Sequence, residues 1–376
     1  MRAVALSAVL MIAAGNPAGA AEIDSLQKAL GHLPEAVLTS PEPELAQFVD
    51  LSVLGDLAGA ELTPRSLDRA RLGRSIRALE ALGIAGPQAW SEKAGIAVDD
   101  VDFFLGFGQP PQTMTIWGLE SEAVAETLMI ALGDRDFAPA DRDTLGNGEP
   151  MAMDPTKRDP ASPWRSMVGA ASFVSHSGDA IVQGPAPEAV AALAGMAGAA
   201  DTAIVATALA GLSEAGGSAP IVQAMLVSPA IGLGGLDPAA LMTPSTDLEA
   251  MKEALLQQVE AAGDGIPPYF SGIVADIAAD QPAVAISLAY PDCDMAEHAA
   301  ELLGERWAST MPDAAQGQLE GGVTQGMDAL CAATLTITAT EPSPVGNPIF
   351  DAVLNAHMRG SLAALQISAS PAGEEQ

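Results

Sequence analysis

The spacing of apolar residues changes character along the chain. The stretch LTPRSLDRARLGRSIRALEALG cycles at helical intervals, with Leu67, Ala70, Ile76 and Leu79 supplying much of an apolar stripe. Thr63 stands at a capping position, Pro64 at the first helical position and Gly83 at the stop, so the pattern predicts one helix over residues 63–83. Strand texture follows. VDFFLGFG (Val101–Gly108) and TMTIWGL (Thr113–Leu119), joined by QPPQ, predict a hairpin. SEAVAETLMIAL reads as a helix with Val124, Leu128 and Ala131 on one side, and DRDFAPADRDTLGNGEP as a polar loop. AASFVSHSGDAIVQG predicts two short strands around Ser177-Gly178, and APEAVAALAGMAG a closing helix.

The second half repeats that texture. In STDLEAMKEALLQQVEAAGDG, Thr246 and Glu249 form a capping box, and Leu248, Met251, Leu255 and Val259 form a stripe. YFSGIVADIA and PAVAISLAY read as strands, the latter with Val284, Ile286, Leu288 and Tyr290 on one face. A helix opening at Asp294 follows, with Glu297 as its capping-box partner, then the strand CAATLTITAT and the helix PIFDAVLNAHMRGSLAAL. TMTIWGLESEAVAETLMIAL matches AVAISLAYPDCDMAEHAAELL in pattern, and SFVSHSGDAIVQGPAPEAVAAL matches AATLTITATEPSPVGNPIFDAVL, although residue identity is slight. The expected fold is α+β. A helical region over 21–95 precedes two similar modules, 96–215 and 216–368, each an antiparallel sheet with helices on one face in a ferredoxin-like arrangement, consistent with internal duplication. Residues 369–376 read as a disordered polar tail.

The N-terminus changes this picture first. Arg2, the apolar run Ala3–Ala14 and the small-residue site Ala18-Gly19-Ala20 make residues 1–20 a Sec-type signal peptide. No cysteine follows the cleavage region, so no lipid anchor is expected, and no later segment has the hydropathy of a membrane span. A periplasmic or secreted protein is therefore expected. Net charge is −32, and loss of Arg2 takes it to −33. Such a field disfavours nucleic acid and anionic lipid surfaces as partners. The plainest reading of the acidity is solubility; a cationic partner or calcium is the sharper one.

Little in the chain looks catalytic. GxSxG, HExxH, CxxC and phosphate-cradling glycine loops are missing, and Ser25-x-x-Lys28 lacks the K-T-G and S-D-N companions of serine–lysine enzymes. No cofactor is expected. Asp141 to Glu149 resembles a calcium loop but lacks the ligand at Leu145 and a correctly placed glutamate. Met151, Met153, Met167 and His176 could imitate a soft copper site, though methionines two apart are more simply one core and one surface residue. Basic residues gather in two places, Arg65, Arg69, Arg71, Arg74 and Arg77 in the predicted helix and Lys157, Arg158 and Arg165 in a proline-rich loop. Internal balance against carboxylates explains the first group most cheaply; docking of an acidic or other partner is the functional reading of both.

The stretch AYPDCDMAEHAAELL holds the remaining candidates. An even cysteine count in an exported protein favours a disulfide, and Cys293 and Cys331 sit at strand ends that would adjoin in an antiparallel pair. Asp294 and His298, four apart with Glu301 a turn on, could face one metal ion, or could lie on the wet side of a capped helix. The expected function is a non-catalytic exported binding or interaction protein. The alternatives are a periplasmic hydrolase with an unrecognised carboxylate site and a metal-binding protein using Asp294 and His298.

Overall fold

The computed structural model describes residues 23–59, 62–70, 76–141, 143–193, 195–232, 265–279, 281–343, 346–360 and 362–367. The expected signal peptide, the helix expected over 245–263, Arg71, Arg74, the side chain of Arg65 and the expected polar tail lie outside them.

The first part of the chain contributes α1 (Asp24–Gly31), β1 (Glu44–Asp50), α2 (Leu51–Leu57), α3 (Pro64–Leu67), α4 (Arg77–Ala85) and α5 (Pro87–Ala94). Next come β2 (Val101–Phe107), β3 (Met114–Leu119), α6 (Glu122–Gly133), β4 (Ala138–Asp141), β5 (Thr144–Gly146), β6 (Phe173–Ser177), β7 (Ala180–Gly184) and α7 (Pro187–Leu193). The chain continues through α8 (Ala203–Gly216), β8 (Ile221–Val227), β9 (Ser271–Ile277), β10 (Ala283–Tyr290), α9 (Cys293–Thr310), β11 (Gln318–Gln325), β12 (Cys331–Thr338) and α10 (Pro348–Met358). Among the described residues twelve strands form one antiparallel sheet in the order β11-β12-β10-β9-β8-β1-β2-β3-β7-β6-β5-β4. The protein is α+β.

β1 and β8 pair at the centre of the sheet, and from each of them the chain lays down strands outward by the same path. β1-β2-β3, then α6, then the β6-β7 hairpin with β7 against β3, is matched by β8-β9-β10, then α9, then β11-β12 with β12 against β10. β1 lies inside the region expected to be helical, because its apolar positions alternate only briefly between two helical stretches. The helix expected over 63–83 is not continuous: α3 ends at Leu67, and Ile76 is extended (φ −88°, ψ 104°) as the N-cap of α4.

Helices cover both faces, correcting the expectation of a single helical face. Phe48, Phe103, Leu105, Ile116 and the alanines Ala283, Ala285 and Ala289 pack beneath α1 and α8. On the reverse face Val49, Phe104, Trp117 and Ile181 pack against α2, α4, α5 and α6, while Val284, Ile286, Leu288 and Tyr290 pack against α9 and α10. The alanine side of β10 is short for a reason. Gly211 of α8 lies so close that a Cβ there would stand 2.5 Å from Ser287 Oγ and 2.6 Å from Ala332 Cβ. Strands buried on both faces read as continuous apolar runs, which hides their second covering layer from sequence patterning. The two closing helices differ: Val190 of α7 joins Met114 and Val182 on the α1 face, whereas α10 packs on the reverse face.

The junction of the halves is polar. Asp276 of β9, fully buried, accepts from Arg69 Nε (3.1 Å) and NH2 (2.8 Å), from Gln223 Nε2 (3.0 Å) and from Asn347 Nδ2 (2.8 Å). Four donors to one carboxylate satisfy a buried charge that would otherwise be costly.

Candidate functional site

A cleft of about 480 Å³ opens on the α6 face between α5, the segment after α6 and the loop after β5. Its walls are set by the C-terminal end of α5. That helix stops at Gly95, whose left-handed conformation (φ 88°) suits glycine, and the Arg135 guanidinium lies 3.2 Å from where a Cβ would project. Arg135 NH1 donates to Lys93 O at 2.8 Å, and the Trp164 indole Nε1 donates to Ala94 O at 2.9 Å. The last carbonyls of the helix thus recruit a cation and a ring donor from two other segments, as its dipole favours.

The loop carrying Trp164 is fastened from below. Trp164 stacks on Trp117 with centroids 4.5 Å apart and planes 3° off parallel, and Trp117 in turn meets Trp90 at 5.5 Å. Trp117 Nε1 donates to Gln183 Oε1 (3.0 Å), and Gln183 Nε2 donates to Pro163 O and Ser172 Oγ (2.8 Å each). Asn147 joins the same network through Trp164 O (3.1 Å) and Ser172 N (2.8 Å). Arg77 NH1 donates to Ser172 Oγ at 2.9 Å; burial draws its pKa down, opposed by Glu80 and reinforced by Arg165. Side chains held this way form a rigid floor.

Charge around the cleft is mixed and mostly paired. Lys93 bonds Asp159, and Arg165, only 8% exposed, donates NH2 to Asp136 Oδ2 at 2.8 Å. Lys157 and Arg135 are exposed at the rim, and among the described residues neither has a carboxylate partner within ion-pair distance; Glu92 is the remaining acid of the lining. Four cations therefore ring one cleft of a protein whose net charge is −32. At physiological ionic strength, charges beyond about 8 Å are screened, so the local groups outweigh the global field.

The predicted site residues scatter relative to this cleft. Lys157 and Arg165 line it, and Arg158 is exposed beside Lys157. Arg69 is buried on Asp276 and Arg77 is held under the loop, so neither presents a docking face. Arg65 belongs to α3. Asp294, His298 and Glu301 are exposed along α9, and among the described residues no three His, Cys, Asp or Glu side chains are grouped to hold a metal. Met151 and Met153 are both exposed, correcting the expectation of one core and one surface residue. Cys293 and Cys331 form the expected disulfide, Cα atoms 5.0 Å apart, with Cys331 paired to Tyr290 across β12 and β10. The helix cap falls two residues before Asp294: Asp292 Oδ1 accepts from Met295 N at 2.9 Å. Lys93, Arg135, Asp136, Asn147, Asp159 and Trp164 gave no motif, because they converge from three separate segments.

A second cluster surrounds α1. Lys28 contacts Asp102 (3.3 Å) and Asp179 (3.0 Å) and donates to Leu119 O (3.0 Å), while His32 faces Asp179 at 3.4 Å. The β-bulge between Val101 and Phe103 accompanies this placement of Asp102. Against desolvation, which raises it, Lys28 and His32 hold the Asp179 pKa low. Burial pushes the Asp50 carboxyl up to about 6, against the hydrogen bond from Val53 N. Lys28 Nζ is thus taken up by Asp102, Asp179 and a backbone carbonyl. Comparisons of the chain with protein-family models, curated proteins and solved structures find no match.

Proposed function

We propose that the protein is a non-catalytic binding protein of the periplasm whose cleft takes a small solute bearing carboxylate or phosphate groups. One observation carries the reading: among the described residues Arg135 and Lys157 have no carboxylate within ion-pair distance, at a cleft whose Lys93 and Arg165 are already paired. Paired charges shape the walls, and unpaired ones are available to a ligand. The lining supports binding over turnover. It contains no histidine or cysteine, and its one hydroxyl, Ser162 Oγ, accepts from Trp164 N at 3.3 Å. Of the three carboxylates in the lining, Asp136 and Asp159 are engaged by Arg165 and Lys93, and those around Lys28 surround a cation and not a cleft. Export is supported by the N-terminal pattern and the disulfide. The matching strand paths support two similar units derived by duplication, although their consecutive strand order departs from the expected ferredoxin-like arrangement.

A thermal-shift panel tests the proposal. Citrate or inorganic phosphate at ten times its Kd should raise Tm by about 2 °C, whereas spermidine should not. Equal response to anion and polyamine, or reproducible substrate turnover by the purified protein, would overturn the reading.

A further inference from the structure

A twelve-stranded open sheet has two edges, and here they are built differently. β4 is four residues long, carries Pro139, and shifts register against β5 between Pro139 and Asp141. Those are the devices that stop a strand from recruiting another. β11 has none of them. It pairs with β12 residue for residue over eight positions, from Gln318↔Thr338 to Gln325↔Cys331, without a register shift. It contains no proline and one charge, Glu320, and among the described residues no strand pairs with its outer side.

We propose that the β11 edge pairs with β11 of a second copy, joining two sheets across a two-fold axis at Gly321. A two-fold perpendicular to an antiparallel pair requires one residue to face its own counterpart. With Gly321 on the axis, Leu319 of each copy stands opposite Val323 of the other, and Gln318 opposite Thr324. Leu319 and Val323 neighbour Ile337 and Ala333 of β12, so the pairing continues one apolar row across the interface and covers Leu319, now 37% exposed. Glu320 would face Gly322, so no like charges are directly opposed. Moving the axis to Gly322 would set Leu319 against Gln325 and lose the apolar row. The second copy is thus the occupant for which the strand's own sequence is complementary. The exposed carboxylates of α9, Asp294, Glu297, Glu301 and Glu305, belong to the helix over this end of the sheet and oppose association at low salt.

Sedimentation velocity of the mature protein, at protein concentrations up to about 100 µM and in salt strong enough to screen those carboxylates, tests the inference. A dimer is expected. Gly321→Glu and Gly321→Lys place a side chain where the nearest atom to a Cβ is Ala300 O at 3.6 Å, so each should fold with an unchanged Tm. Each alone sets like charges face to face and should weaken dimerisation by at least about tenfold. Mixed one to one, they should recover a heterodimer. A wild-type protein that stays monomeric, or single variants that dimerise as tightly as wild type, would overturn the proposal.

Discussion

The two halves of the sheet share a strand path and diverge where the helix on the α6 face returns to its hairpin. In the second half residues 311–317 lead directly from α9 into β11, and the unit closes on apolar packing and the Cys293–Cys331 bridge. In the first half residues 134–172 intervene, adding β4, β5 and the loop that carries Lys157 and Trp164. The additional segment has to be anchored. Its anchors are polar and aromatic: Asn147, Gln183, Arg77 and the stack of Trp164 on Trp117. The difference teaches that a common frame becomes a site where an inserted loop is fixed by buried polar bonds and leaves unpaired cations at its rim.

Removing the floor should break the comparison most severely. Trp164→Ala loses the stack and the bond to Ala94 O, and should cost about 3–5 kcal/mol, read by denaturant unfolding and by loss of near-ultraviolet circular dichroism. Reducing the disulfide acts on the other half. The chain-entropy argument for a loop of sequence separation 38 gives a loss of about 4 kcal/mol. Cys331→Ala, examined where the protein remains folded, should leave citrate binding unchanged.

A third prediction concerns the strands that meet at the centre. β1 ends on Asp50, a titratable cap for α2, whereas β8 is followed by the neutral Ser228, whose Oγ accepts from Ala230 N. The folded pKa of Asp50, about 6, lies above its ordinary 3.8, so protonation favours the fold. That contribution is complete below pH 3.8 and is lost as pH rises through 6. Asp50→Asn keeps a good cap and should stabilise the protein by up to about 3 kcal/mol above pH 7, with the gain vanishing below pH 4. A pH series of urea midpoints showing no such crossover would count against the assignment.

Much of the architecture was legible in the sequence, and the failures have physical causes. The β2–β3 hairpin, the β6–β7 turn, α6, α9 and the disulfide follow from periodicity, turn residues and cysteine placement. β11, with the sequence QLEGGVTQ, has little strand propensity and owes its form to pairing with β12. β4 and β5 lay in a stretch whose polarity reads as loop. The helix expected over 63–83 overreaches: Arg69 leaves helical spacing to reach Asp276, more than 200 residues away in sequence, and no local pattern signals that. Lys157 and Arg165 stood out by charge, but their companions Lys93 and Arg135 were invisible because the cleft is assembled across α5, α6 and the inserted loop.

The smallest effect on stability should accompany the largest on function. Arg135→Glu with Lys157→Glu changes exposed rim residues and should shift stability by about 1 kcal/mol at most, the loss of the Lys93 O bond included. Calorimetric titration of citrate and of inorganic phosphate into the wild-type protein and this double variant is the direct test. The account predicts one site in the wild type, weakened at least about tenfold in the variant. Equal affinity in both proteins, or no binding of either anion by the wild type, would contradict it.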